Sequence, residues 1–494
     1  MTGSITAGFT ARVRHSRVWL ALSLALFLAS CATNPVTGKH ELSLVSFDRE
    51  IQIGKEGHQA ILAEYGQYND PKLAAYVDSV GQALARVSHR PSLGWTFTVL
   101  DDPVVNAFAT AGGYVYITRG ILAHLNSEAQ LAGVLGHEIG HITARHTAQR
   151  MTQQQIAGVG LTLASVLSQQ FARYSEAAQS ALGLLLLKYS RDDETQADEL
   201  GVEYSAGAGF DPREIPATYR MLARVGERGG ERLPSFLSTH PDPGDRENRT
   251  RRLAQAAAAG KLSLAVASRG YLQRLDGLVF GPDPRQGFFE GDRYFHPQMA
   301  FTLTFPAGWQ HQEAHTSVTA GAPDRGAVME LKLADAGTLS PSAYAHDLMR
   351  RGRVVDASGA TETFEGLPAW VGRLAARAES GEVITFAATF VRLAPERMIQ
   401  ILGRSNAPGD ADDQRIVASM RSLRPLTDPT RLGVKPDRVR IVKANATGTF
   451  ESLIASFGPQ AVDSTYSSII NNVEPGDEVR AGELLKIVEP GRRK

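Results

Sequence analysis

His137, Glu138 and His141 are the residues of this chain best placed to do chemistry. They form the pentad H-E-I-G-H, an H-E-x-x-H pattern. Two histidines four apart share one helical face, so both imidazoles can reach one metal ion. Glu138 projects beside them, placed to take a proton from an attacking water. The chemistry this predicts is metal-assisted hydrolysis, with one Zn2+ per chain.

The element that must carry the pentad is a helix. Asn126 and Ser127 offer a cap, and Leu131, Val134, Leu135, Ile139 and Ile142 recur at helical spacing. No proline interrupts residues 127–151, so the pattern predicts one helix across them. Gly136 and Gly140 keep bulk away, which lets the metal or another helix come close. On that continuous helix His146 falls about 140° around from His141, so it is read as a surface or supporting residue, not a ligand. A catalytic zinc takes three protein ligands, and Glu194 is the candidate for the third. Residues 189–201 look like a helix start with acids in its first turn. Glu194 and Asp198 share a face there, one carboxylate for the metal and one to orient a ligating histidine. Asp192, Asp193 and Glu199 are read as a solvated acidic face.

These blocks carry a resemblance. H-E-I-G-H, followed some fifty residues later by E-T-Q-A-D-E-L-G, resembles family forty-eight of the metallopeptidases, and its periplasmic lipoprotein branch in particular. Residues 106–122 and 238–246 resemble two further blocks of that family, in the same order. The resemblance implies that His137, His141 and Glu194 hold zinc, with Glu138 as general base and then proton donor to the leaving amine. It implies that Asp198 supports the ligands, that His240 takes the open zinc position as an inhibitory fourth ligand, and that Arg246 fixes the His240 loop. From the residues alone, His240 before a proline reads equally as an oxyanion stabiliser or a turn residue. Tyr114, Val115 and Tyr116 alternate as a strand after a Gly-Gly turn. If that strand is an edge beside the metal, an extended substrate can pair with it near Asn106.

The chain also carries an address. Arg12, Arg14 and Arg17 precede a short apolar run at 18–29, which reads as a secretory signal over residues 1–30. It ends L-A-S-C, which looks like a lipobox, so Cys31 is expected to be lipidated. It is the chain's one cysteine, so no internal disulfide forms. Ala32 after it favours the outer membrane, on the periplasmic side. Lys+Arg and Asp+Glu both count 52, and that balance argues against a nucleic-acid partner. Apolar segments at 156–167 and 181–187 are too short to span a bilayer and are read as a buried helical hairpin or, alternatively, as an apolar surface that contacts membrane or unfolded barrel proteins.

The length suggests about three domains, and the fold class expected is α+β multidomain. A mainly helical zinc-peptidase domain with a small sheet takes residues 31–265. An α+β accessory domain, vaguely similar to PsbP modules, takes 285–430. After a linker at 427–436, residues 436–490 read as strand, helix, helix, strand, and resemble a LysM module, whose family binds peptidoglycan. The function expected is a lipid-anchored periplasmic zinc endopeptidase that clears misfolded or stalled envelope and outer-membrane proteins. Peptidoglycan and the outer-membrane assembly machinery are the other partners expected. The alternative is a tethered scaffold linking outer membrane and peptidoglycan, with little proteolysis.

Overall fold

The computed structural model describes residues 31–156, 188–228, 236, 240, 243–261, 263–352, 354–377 and 381–491. The signal segment and nearly all of the apolar hairpin lie outside them. Two strands, β1 (Cys31–Thr33) and β2 (His40–Leu42), form a short hairpin, and helices α1 (Phe47–Tyr65) and α2 (Pro71–Val87) follow. A three-stranded sheet comes next, made of β3 (Thr96–Leu100), β4 (Ala107–Thr110) and β5 (Tyr114–Thr118). Then come α3 (Arg119–His124), α4 (Glu128–Thr143), α5 (His146–Ile156), α6 (Arg191–Gly207), α7 (Ile215–Arg228) and α8 (Pro243–Ala258). No helix among the described residues is long and apolar enough to cross a membrane.

Helix α4 carries the pentad and is buried from Ala129 to Thr143. Ser127 caps it by accepting from the Gln130 amide at 3.1 Å, which satisfies one of the helix's free N–H groups. Helix α6 opens on a reciprocal capping box between Ser190 and Asp193. Asp193 therefore works in the helix start and pairs with Arg150 at 3.1 Å, instead of lying on a solvated face. The glycines of α4 admit another helix. A Cβ on Gly136 would stand 3.1 Å from the Gly201 carbonyl oxygen, and one on Gly140 would stand 3.2 Å from Ala197 Cα. Small residues on both helices thus let the backbones meet where His137, His141 and Glu194 project.

The expected single helix over 127–151 is two helices. The chain breaks at Ala144 and Arg145, where Arg145 has φ 61°. That conformation appears in no periodicity, because it is imposed by partners far away in the chain.

Beyond the helical region, a seven-stranded antiparallel sheet and a four-stranded sheet share an apolar core that includes Phe301, Phe305, Trp309, Ile399 and Ile401. This is the accessory α+β region. Farther on, strand Arg438–Lys443, helices Phe450–Ser456 and Ser464–Asn471, and strand Leu484–Glu489 follow in the expected order. The two strands pair antiparallel, but the order alone does not make the unit a LysM module. Nor is it a free appendage. Val439 and Ile469 belong to the same core as α4. Lys486, fully buried, donates to the carbonyls of Ala123 at 2.9 Å and Leu125 at 2.7 Å. Asn126 donates its side-chain amide to the Ile470 carbonyl at 3.1 Å. The C-terminal unit therefore holds the turn that leads into α4.

Because the α4–α6 contact leaves no room for a branched side chain, Gly140→Val is expected to destabilise the protein by about 2 kcal/mol through overpacking. Urea unfolding of the metal-free protein measures it; an unchanged midpoint would show that the crossing is not tight.

Candidate metal centre

Four side chains from three segments converge. His137 and His141 come from α4, Glu194 from the first turn of α6, and His240 from the stretch before α8; all four are buried. His137 Nε2 lies 3.0 Å from His141 Nε2 and 3.5 Å from Glu194 Oε2. His141 Nε2 is 3.6 Å from Glu194 Oε1. His240 Nδ1 is 3.3 Å from His137 Nε2 and 2.8 Å from Glu194 Oε1. Zinc bonds of about 2.0–2.1 Å in a tetrahedron require donor-to-donor edges of about 3.3 Å. These separations, taken to one or other Glu194 oxygen, scatter around that length, so the donor set fits a zinc-sized cation.

The electrostatics agree with the geometry. Burial pushes the Glu138 carboxyl up, with His240 and His137 opposing, and neither of its oxygens has a hydrogen-bond partner. Such a carboxylate is poised to accept a proton. Burial alone would raise Glu194 as well, but the charges of His240 and Arg246 overcome it and hold the acid down at about 2. Its Oε2 lies 2.7 Å from Arg246 Nη1 yet is not aligned as a hydrogen bond, which leaves that oxygen's lone pair for a metal. Burial would lower His240, and the carboxylates of Glu194 and Glu138 outweigh it and raise it.

Supporting residues surround the donors. Asp198 Oδ1 accepts from His137 Nδ1 at 3.1 Å, the orienting contact that a ligating histidine needs. Arg246 donates to Asp198 at 2.7 and 3.0 Å and pairs with Glu194. It therefore braces the carboxylates; the loop around His240 that it was expected to fix lies mostly outside the described residues. His146 is 1% exposed, so it is no surface residue; its Nδ1 meets His141 Nδ1 at 2.9 Å. Of the two readings, supporting residue holds and surface residue does not, the latter having followed from an unbroken helix.

The strand expectation also changes. β5 pairs with β3 in parallel and with β4 antiparallel, so Tyr114, Val115 and Tyr116 lie on the central strand, with no free edge. The sheet's edge strands are β3 and β4, and Asn106 immediately precedes β4. Asn106 Oδ1 is buried without a hydrogen-bond partner. Cys31 begins strand β1.

Several neighbours escaped the sequence reading. Tyr189 stacks on His141 with ring centroids 3.8 Å apart, and Phe236 stacks on His240 at 4.5 Å. The Tyr219 hydroxyl donates to Asp198 Oδ1 at 2.6 Å, and Arg249 donates to Asp198 Oδ2 at 2.6 Å. The R-x-x-R spacing of Arg246 and Arg249 was a usable clue, since residues three apart share a helix face. The tyrosines and Phe236 carry no such local mark.

Arg246→Met leaves two buried carboxylates without their shared cation, so the metal-free protein should lose about 3–5 kcal/mol at neutral pH. Because Glu194 is depressed to about 2, its stabilisation is full above the ordinary carboxylate range and fades as pH falls toward that value. The gap between wild type and variant should narrow in parallel. Denaturant midpoints across that range test it, and a pH-independent gap would refute the pairing.

Comparison with known proteins agrees with the site. Residues 71–254 match Peptidase family M48. The chain is 35% identical over 175 residues to mitochondrial metalloendopeptidase OMA1 of Arabidopsis thaliana, covering 35% of this chain and 34% of that one. It is 32% identical over 218 residues to the Schizosaccharomyces pombe protein of the same name, covering 42% and 61%. It is 29% identical over 230 residues to the beta-barrel assembly-enhancing protease of Escherichia coli, covering 44% and 47%. The chain thus spans between about a third and three fifths of the length of these relatives. The solution structure of cyanobacterial PsbP from Synechocystis aligns with 27% of this chain and 91% of that one, at 11% identity and TM-score 0.22, which carries no argument. The segment that matches Peptidase family M48 contains the whole His137–His141–Glu194–His240 cluster intact, together with Glu138 and Arg246.

Proposed function

We propose that the chain is a zinc-dependent metalloendopeptidase. The observation that carries this is the buried cluster of converging His and Glu donors with a buried Glu138 beside it that has no hydrogen-bond partner. His137, His141 and Glu194 would hold the ion, and Asp198 and Arg246 keep two of those ligands in place. Zinc, when bound, supplies Lewis acidity toward the scissile carbonyl and toward an attacking water. Glu138 takes the proton from that water and delivers it to the leaving amine nitrogen. The high position of its carboxyl suits both halves of this transfer. An extended substrate that pairs with the small sheet would do so at β4, the edge strand nearest α4.

His240 holds the resting site closed in this reading. Its Nδ1 lies 3.3 Å from His137 Nε2, where it would serve as a fourth ligand, and its Nε2 faces Glu138 Oε1 at 3.7 Å. The same ring would thus compete with an attacking water for the metal and stand in front of the base. Displacing it would free both.

The substrates we propose are unfolded or misassembled envelope proteins, outer-membrane ones included, with the enzyme tethered through a lipidated Cys31 on the periplasmic face of the outer membrane. The E. coli relative's name refers to beta-barrel assembly, which supports that class. The strand-helix-helix-strand unit at 436–490 is the candidate contact to peptidoglycan.

Glu138→Gln should keep stoichiometric zinc while casein cleavage falls by at least about 100-fold. Zinc content and turnover, measured on the same preparation, decide it; near-normal cleavage would rule out this base. His240→Ala should raise cleavage with zinc retained. A clear loss would assign His240 to oxyanion stabilisation instead.

A further inference from the structure

His146 owes its position to an unusual corner. After Thr143 the chain turns through Arg145 in the left-handed region, φ 61°, which costs a non-glycine residue on the order of 1 kcal/mol. The turn is held from the N-terminal arm of the chain. Arg145 donates to Glu50 Oε1 at 2.7 Å and to the Val45 carbonyl at 2.7 Å, and its guanidinium lies 4.2 Å over Phe47. Asn34 donates to the Ala144 carbonyl at 3.2 Å.

The corner aims His146 backward. Its Nδ1 meets His141 Nδ1 at 2.9 Å, and its Nε2 meets Gln196 Oε1 at 2.9 Å. The tautomers then follow from hydrogen-bond logic. His141 turns Nε2 toward the ligand cluster, so its Nδ1 carries the proton and donates. His146 must accept on Nδ1 and donate from Nε2 to the glutamine oxygen. Gln196 lies on α6, two residues after Glu194. One metal-ligating histidine, His137, is therefore oriented by a carboxylate, and the other by a neutral imidazole that bridges to the helix bearing the third ligand.

We propose that His146 is a positioning residue of the metal centre: it fixes the ring plane and tautomer of His141, ties that ring to α6 through Gln196, and is itself aimed by the Arg145 corner. The proposal rests on the reading that the cluster binds a zinc-like cation.

The test is zinc affinity of the full chain by competition with a chromogenic chelator, with the cobalt(II) absorption spectrum as a second readout. His146→Leu fills the space without an acceptor and should weaken zinc about 10–100-fold and alter the cobalt bands, as loss of an orienting partner does. His146→Asn places Oδ1 near the position of the lost Nδ1 and should recover most of the affinity. Gln196→Leu, at a half-buried position, should weaken zinc several-fold and serves if the first variant does not fold. Wild-type affinity and spectrum in His146→Leu, or in Gln196→Leu should His146→Leu not fold, or equal losses in the Leu and Asn variants, would overturn the proposal while leaving the metallopeptidase reading intact. A wild-type chain that binds neither metal would overturn both.

Discussion

The structure depends on one close approach. Helices α4 and α6 meet through Gly136, Gly140, Ala197 and Gly201, where even a single added carbon stands 3.0–3.3 Å from the opposing chain. At that separation the first turn of α6 delivers Glu194 beside His137 and His141. A wider crossing would leave three good ligands unable to share one ion. Packing thus comes before coordination: the apolar face of α4 secures the helix, the small residues set the distance, and the donors take the geometry they are given.

The second constraint is charge. Glu138, Glu194 and Asp198 are all buried around His137 and His240, a concentration of acid that an apolar core does not tolerate unpaired. Arg246 pairs directly with Glu194 and Asp198 and acts on Glu138 only as a more distant charge. That selectivity separates a structural pair of carboxylates, kept ionised, from a reactive one, kept available. His240 enters the same field, and its attraction to both Glu194 and Glu138 is a sufficient physical reason for its resting position.

Much of this was legible in the chain. The pentad, Glu194 at a helix start and Asp198 one turn on are local patterns with a period, and they stand where the periodicity puts them. The misses share a cause. The break at Arg145 is made by Glu50 and Val45, nearly a hundred residues earlier, so no window around His146 reveals it. The central place of β5 is a matter of sheet order, which alternation cannot encode, since a middle strand and an edge strand alternate alike. Tyr189, Tyr219 and Phe236 reach the site as single aromatics from separate segments, with nothing in their spacing to set them apart from core residues.

The buried Lys486 gives the chain a temporal order. The turn that launches the metal helix offers two carbonyls, those of Ala123 and Leu125, whose partner is synthesised more than three hundred and fifty residues later. Until that lysine arrives, the turn lacks its cap and the metal helix lacks part of its core. A chain that ends before Lys486 therefore carries the pentad without this part of the frame around it.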